Sequence, residues 1–106
     1  MTVDAELQIH ELWRADATEA TAVVRCLRGP VRLGARFSRV RDTGAPIDLT
    51  VTSIVRYSRP DHTIDPAHSG LVTLQGTGVR ELSPTIAETG RRPVMPVVQG
   101  DNPPPP

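Results

Sequence analysis

At 106 residues the chain is long enough for one domain with a modest hydrophobic core. Its formal net charge of zero excludes a uniformly basic or acidic protein, although residues 25–59 carry eight arginines against two aspartates, a net charge of +6. A single cysteine, Cys26, excludes an intrachain disulfide, and the acidic N-terminus lacks the apolar run of a signal peptide or membrane span. We therefore expect a cytoplasmic protein that does not insert into a membrane.

Short β-branched runs along the chain predict an all-β fold. We place strands at residues 7–14, 20–28, 31–40, 47–57 and 71–75, with a short sixth strand at 78–82. In the third strand, apolar residues from Val31 to Phe37 occupy every second position, which is typical of a strand with one buried face. The alternation in the fourth strand breaks at Ser53 and Ile54, which predicts a β-bulge or a sharp bend.

The links between these strands are short and rich in turn-forming residues, such as Gly29-Pro30 and the segment RDTGAP at 41–46. Because closure removes the unpaired edges of a small open sheet, we predict a single small closed β-barrel of about six strands over residues 1–82. Residues 83–106 contain seven of the eleven prolines, so we predict a disordered, flexible proline-rich C-terminal tail. Within this tail, residues 94–98 offer the apolar side chains for docking a short segment on the barrel.

The segment RCLRGPVRLGARF at 25–37 resembles the second domain of translational GTPases such as elongation factor Tu. The residues in register with the family pattern are Arg25, Cys26, Arg28, Gly29, Val31, Arg32, Leu33, Gly34 and Phe37. Similar stretches flank this segment in the family's order, namely HELW (10–13), TVTSIVRYSR (50–59), Ile64-Asp65, Gly70 and Leu74-x-Gly76. The resemblance covers residues 7–76 and implies a Greek-key β-barrel.

In that family the aromatic residue at the position of Trp13 lies beside the pocket for the aminoacyl end of tRNA. The resemblance also implies that Asp65 lies in the turn before the last strands and that Gly70 allows the chain to reverse. The chain departs from the family at residues 15–20, where ADATEA replaces a glycine-rich loop. The sequence also has no G-x-x-x-x-G-K-[ST] phosphate loop, so we expect no GTP binding and no GTP hydrolysis.

The segment TIDPAHSG at 63–70 places Asp65, His68 and Ser69 close together in sequence, which are the residue types of a catalytic triad or, with His62, of a metal site. A zinc site needs three or four converging ligands, and a triad needs its nucleophile and base on rigid elements rather than on one loop. We therefore predict that this segment is only a turn. We also predict that Cys26 is a small core residue and that the protein is a non-enzyme without metal or cofactor.

Arginines are the stronger indication of a binding surface, with a solvated barrel exterior as the alternative explanation. Arg32 and Arg36 share one face of the third predicted strand, and Arg56 and Arg59 lie at the end of the fourth. Together with Trp13 they form the candidate binding site. The function that we predict is a non-enzymatic protein-interaction barrel. The alternative is translation-linked RNA binding, to a tRNA acceptor end or the ribosome, through this arginine-rich face.

Overall fold

The computed structural model describes residues 4–41, 43–82, 85–86, 93–94 and 96–103. Within these ranges the chain forms β1 (Ala5–Ala15), β2 (Glu19–Arg28), β3 (Val31–Arg32), β4 (Arg36–Val40), β5 (Pro46–Arg56), β6 (Arg59–Pro60), β7 (Thr63–Ile64), β8 (Ser69–Thr77), a 3-10 helix (Val79–Leu82), β9 (Thr85–Ile86), β10 (Pro93–Val94) and β11 (Val97–Asp101). Among the residues described, no helix has the length and apolar character needed to cross a membrane.

Six of these strands form a closed antiparallel barrel. Their order around the barrel is β4, β11, β1, β2, β8 and β5, and a further pairing of β4 with β5 closes the ring. The short strand β6 pairs with β5 outside the ring. The barrel strands β4, β5 and β8 are neighbours in the sheet in the order in which they follow along the chain. The last strand, β11, returns to lie beside β4, the first of these three, which is the strand order of a Greek key. The predicted closed six-stranded β-barrel is therefore confirmed.

Inward-facing side chains of the barrel strands form the hydrophobic core. Along β2, Ala22, Val24 and Cys26 are buried while the residues between them point outward. The register between β5 and β8 shifts between Val51 and Ser53, which confirms the predicted bulge. The shift has a clear packing consequence, since it brings both Val51 and Ile54, three residues apart, into the core.

The predicted strand at 31–40 is wrong in one respect, because it is interrupted. Val31 pairs with Ile64 of β7, whereas Phe37 pairs with Leu49 of β5. A turn separates the two halves, in which Ala35 N–H donates to the carbonyl oxygen of Arg32 at 2.9 Å. Leu33 therefore lies on the surface with 38% of its area exposed, although the alternation of the sequence places it inside.

The short strand predicted at 78–82 is also wrong, since residues 79–82 form the 3-10 helix. Gly78 has a φ of 90° and its carbonyl oxygen accepts a hydrogen bond from Glu81 N–H at 3.0 Å. Val79 and Leu82 are buried, and their spacing of three residues matches the three residues per turn of a 3-10 helix.

The sixth barrel strand comes instead from the proline-rich C-terminal region. In β11, Val98 pairs with Leu7 of β1 on one side and with Val40 of β4 on the other. Residues 97–101 are thus an integral part of the sheet, which corrects the expectation of a flexible tail for this stretch. The prediction of a flexible tail is also wrong for β9 and β10, which pair with each other in a separate two-stranded antiparallel sheet. Residues 83–84, 87–92, 95 and 104–106 of the predicted tail lie outside the described residues.

Candidate functional site

The segment that contains Asp65, His68 and Ser69 is a turn that leads into β8. His68 N–H donates to the carbonyl oxygen of Asp65 at 3.0 Å. Two further backbone hydrogen bonds of 2.8 Å, Ala67 N–H to Cys26 O and Cys26 N–H to His68 O, fix this turn against the end of β2. In the described part of the chain, no group of three or more His, Cys, Asp or Glu residues could hold a metal ion.

Gly70 has a different role from the one that the resemblance implies. The residue of this turn in the left-handed region is Ala67, with a φ of 71°, so the chain reverses there. At Gly70 the constraint is space, because a Cβ would lie 3.2 Å from Arg56 Cγ and 3.3 Å from the carbonyl oxygen of Val55. The glycine therefore lets β8 pass closely beside Arg56 of β5.

Two of the predicted binding arginines are held by partners within the chain. Arg32 donates its backbone N–H to Asn102 Oδ1 at 2.7 Å, and its guanidinium donates to the carbonyl oxygen of Pro103. Arg36 donates through Nε and Nη2 to the two carboxylate oxygens of Asp48 at 2.6 and 2.7 Å. This hydrogen-bonded pair lowers the pKa of Asp48 and raises the pKa of Arg36.

The other predicted residues lie together. Trp13 and Arg56 line one open depression of about 720 Å³ on the outside of the barrel. Arg59 stands opposite Arg56 in the β5–β6 hairpin. The structure thus brings Trp13, Arg56 and Arg59 into one region, whereas Arg32 and Arg36 do not line the depression.

Arg56 is held in place at the edge of this depression. Its side chain is only 12% exposed. Its Nη2 lies 2.8 Å from His68 Nδ1, its Nη1 lies 3.6 Å from Asp61 Oδ2, and its guanidinium carbon lies 5.6 Å from the centre of the Tyr57 ring. The last contact is a cation–π arrangement, which orients the guanidinium and the aromatic ring together.

The floor of the depression is a row of outward-facing apolar residues. Val23 of β2 pairs with Leu71 of β8, and Leu71 pairs with Val55 of β5. All three side chains are half-buried and line the depression with Trp13 and Tyr57. We call these five residues, Trp13, Val23, Val55, Tyr57 and Leu71, the outer apolar face.

The two aromatic residues of this face are unusually accessible. Trp13 is 59% exposed and Tyr57 is 90% exposed. Tyr57 and Ser58 form the two-residue turn of the β5–β6 hairpin, with φ values of 52° and 63°. Such turns favour asparagine and glycine, and a bulky residue with positive φ is strained. An exposed tyrosine at a strained position is the kind of local outlier that clusters at functional sites.

The prediction from arginines missed the aliphatic residues of this face, although the sequence contains a signal for them. Each of the three strands carries an apolar doublet: Val23-Val24, Ile54-Val55 and Leu71-Val72. Because neighbouring residues of a strand point to opposite sides, one member of each doublet must face outward. Val24, Ile54 and Val72 fill the core, and their neighbours form the row on the outside.

Comparisons with protein-family models, curated proteins and solved structures find no family, relative or structural neighbour that matches this chain. The description of the fold and of the outer apolar face therefore rests on the geometry of this structure. Within the described residues they define a closed β-barrel that carries an exposed aromatic and aliphatic surface on its outside.

Proposed function

We propose that this protein is a non-enzymatic binding module that contacts a protein partner through the outer apolar face. The observation that carries the proposal is the alignment of Val23, Leu71 and Val55 across three strands beside the exposed rings of Trp13 and Tyr57. Contiguous apolar surface on a soluble protein marks interaction sites, and tryptophan, tyrosine and arginine are the residues most enriched at interface hot spots. Arg56 stands at the edge of the face and adds an oriented donor.

The alternative, RNA binding through an arginine-rich face, has less support. Affinity for RNA depends strongly on cationic groups that neutralise phosphates. Arg32, Arg36 and Arg56 already bind acceptors of their own chain, and two of these acceptors are the carboxylates of Asp48 and Asp61. The resemblance to the second domain of translational GTPases, which suggests a tRNA ligand, stays a prediction.

Two matched leucine substitutions test the proposal. Leu71 lies at the centre of the outer apolar face, whereas Leu33 is an exposed leucine outside it. We expect Leu71→Gln to abolish the capture of a partner from a nuclease-treated cell extract, and Leu33→Gln to leave that capture unchanged. Both variants are first compared with the wild type by circular dichroism, so that a loss of capture is not a loss of folding.

A titration with an acceptor-stem RNA distinguishes the two functions, because Trp13 is the only tryptophan and its fluorescence reports directly on the face. We expect the RNA to leave the Trp13 emission unchanged at physiological salt. Binding that persists at physiological salt and is lost in Arg56→Glu would replace the proposed protein partner with RNA. Capture that is equal for Leu71→Gln and wild type would refute the role of the face.

A further inference from the structure

We propose that the partner segment bound by the outer apolar face is acidic, with aspartate or glutamate side chains beside its apolar ones. This inference rests on the proposed function and names the chemistry of the partner. It depends on two exposed arginines, Arg25 and Arg59, that border the face and have no carboxylate opposite them on the paired strands.

Arg25 borders the face on β2. It lies on the same side of the strand as Val23, because the two residues are two positions apart. On the neighbouring strands, Arg25 stands opposite Gln8 of β1 and Ser69 of β8, and Ser69 lines the depression. Both of these neighbours are uncharged, so the adjacent strands supply no charge that compensates the guanidinium of Arg25.

Arg59 has a cation rather than a carboxylate as its neighbour. It is exposed and stands directly opposite Arg56 in the β5–β6 hairpin, whose turn residues Tyr57 and Ser58 both line the depression. Like charges directly opposite each other on paired strands are destabilising. In the described part of the chain, Asp61 forms an ion pair with Arg56 at 3.6 Å, whereas no carboxylate pairs with Arg59. A carboxylate supplied by a partner would relieve this repulsion.

These two residues differ from the arginines that are held within the chain. The guanidinium groups of Arg32, Arg36 and Arg56 already contact acceptors of their own chain. Within the described residues, neither Arg25 nor Arg59 forms a hydrogen bond or an ion pair through its side chain. Both therefore keep their donors for a ligand at the border of the face.

Two cationic groups beside an apolar floor favour an acidic protein segment over a nucleic acid. Affinity for RNA depends on many contacts between cationic side chains and phosphates, and two arginines supply few of them. The row of Val23, Leu71 and Val55 offers apolar area that a phosphate backbone cannot cover favourably. The apolar side chains of a peptide gain free energy by leaving water on such a floor.

One short segment can reach both arginines. Strands β8 and β5 lie between β2, which carries Arg25, and β6, which carries Arg59, so the two residues are three strand spacings apart. At roughly 4.8 Å per spacing this is about 14 Å, which an extended segment covers with about four residues at roughly 3.3 Å each. Two acidic residues at about this separation can each face one arginine, while the residues between them pack on Leu71 and Val55.

Random copolymers of amino acids test this preference without the choice of one partner sequence. A glutamate–leucine copolymer carries acidic and apolar groups, poly-glutamate carries acidic groups alone, and a lysine–leucine copolymer carries apolar groups with the opposite charge. At physiological salt we expect the glutamate–leucine copolymer to shift the emission of Trp13, which is 59% exposed, to the blue as the ring leaves water. We expect poly-glutamate to bind more weakly by roughly 10-fold or more, because it lacks the apolar contacts. The lysine–leucine copolymer is expected to leave the emission unchanged.

Charge reversals identify the arginines that act. We expect Arg25→Glu and Arg59→Glu each to weaken binding of the glutamate–leucine copolymer by roughly 3-fold, and together by roughly 10-fold, since an exposed ion pair contributes modestly and the reversal adds repulsion. Arg80→Glu is the matched control. It makes the same change in net charge at an exposed arginine that lines a different depression, so binding is expected to be unchanged. Circular dichroism verifies that all variants keep the wild-type fold.

Three results would overturn the inference: unchanged Trp13 emission with the glutamate–leucine copolymer, equal binding of the lysine–leucine copolymer, and the same loss of binding in Arg80→Glu as in Arg25→Glu. Displacement of the bound copolymer by the acceptor-stem RNA at physiological salt would assign the arginines to RNA instead. Leu71→Gln separates this failure from failure of the proposed function. If the glutamate–leucine copolymer does not bind while Leu71→Gln still loses the partner captured from the extract, the face binds another protein and only its acidic chemistry is wrong.

Discussion

Ending the chain at Pro96 removes β11, and we expect this truncation to destroy most of the stability of the barrel. Val97 and Val98 are fully buried. Burial of a valine side chain contributes about 1.5 kcal/mol or more, so the loss of both costs about 3 kcal/mol. The truncation also leaves β1 and β4 without the strand between them. Each backbone hydrogen bond lost in this way lowers the free energy of unfolding by about 1 kcal/mol. These losses consume most of the roughly 5–15 kcal/mol that stabilises a domain.

Urea denaturation followed by far-ultraviolet circular dichroism measures this effect. We expect the chain that ends at Pro96 to lose its cooperative transition or to unfold at a much lower urea concentration. The milder change Val98→Ala, which removes two buried methyl groups, is expected to cost about 2 kcal/mol. The chain that ends at Pro103 is the control and is expected to unfold like the full chain. If the chain that ends at Pro96 matches it, β11 is dispensable and the assignment of residues 97–101 to the barrel is wrong.

Three further outcomes are expected from the contacts of the described residues. Gly76→Ala should lower the free energy of unfolding, measured by urea denaturation, by several kcal/mol, because its Cβ would lie 1.8 Å from the carbonyl oxygen of Asp48. Gly44→Ala is the control: nothing lies within 4 Å of its Cβ, so it should lower the free energy of unfolding only by the roughly 1 kcal/mol of an alanine in the left-handed region. An NMR titration of the Asp48 carboxyl should show a depressed pKa, which should rise in Arg36→Ala. Because the pKa of Asp48 is lower in the folded than in the unfolded chain, the pair stabilises the fold at neutral pH, and this stabilisation is lost as the pH falls through the folded pKa. Cys26, whose thiol pKa is raised by burial, should react with a thiol reagent only as fast as the protein opens, and a rate typical of an exposed thiol would contradict its place in the core.

Most of the barrel could be predicted because its strands are locally consistent. In β2 and β5, alternation, β-branched residues and flanking turns all indicate the same structure, and even the bulge after Val51 is visible as a break in the pattern. The stretch VVQGD at 97–101 lacks this consistency, since it is short and follows several prolines. It becomes a strand because it pairs with the edges of both β1 and β4. These partners lie far away in the sequence, so a prediction from neighbouring residues cannot include them.

The strand boundaries that failed have a related explanation. Alternation from Val31 to Phe37 is continuous in sequence, yet Val31 and Phe37 pair with different strands. Gly34, with a φ of 91°, lets the chain turn between them. The alternation of apolar and polar residues therefore covers two short segments whose apolar positions have the same spacing. The two segments can be distinguished only by the strands with which they pair. For the same reason Arg32 and Arg36 belong to different strands, since Arg32 pairs with Thr63 of β7 and Arg36 with Thr50 of β5.

The outer apolar face follows from alternation combined with register. A doublet such as Ile54-Val55 shows that one apolar residue points outward, but a second doublet, Val97-Val98, is buried at both positions. A doublet alone therefore does not distinguish an exposed residue from a covered one. Val55 belongs to a surface because the register sets it beside Leu71, and Leu71 beside Val23, so that three isolated residues become one contiguous floor. A sequence-based prediction of such a face thus needs the strand order first, because the order decides which outward residues become neighbours.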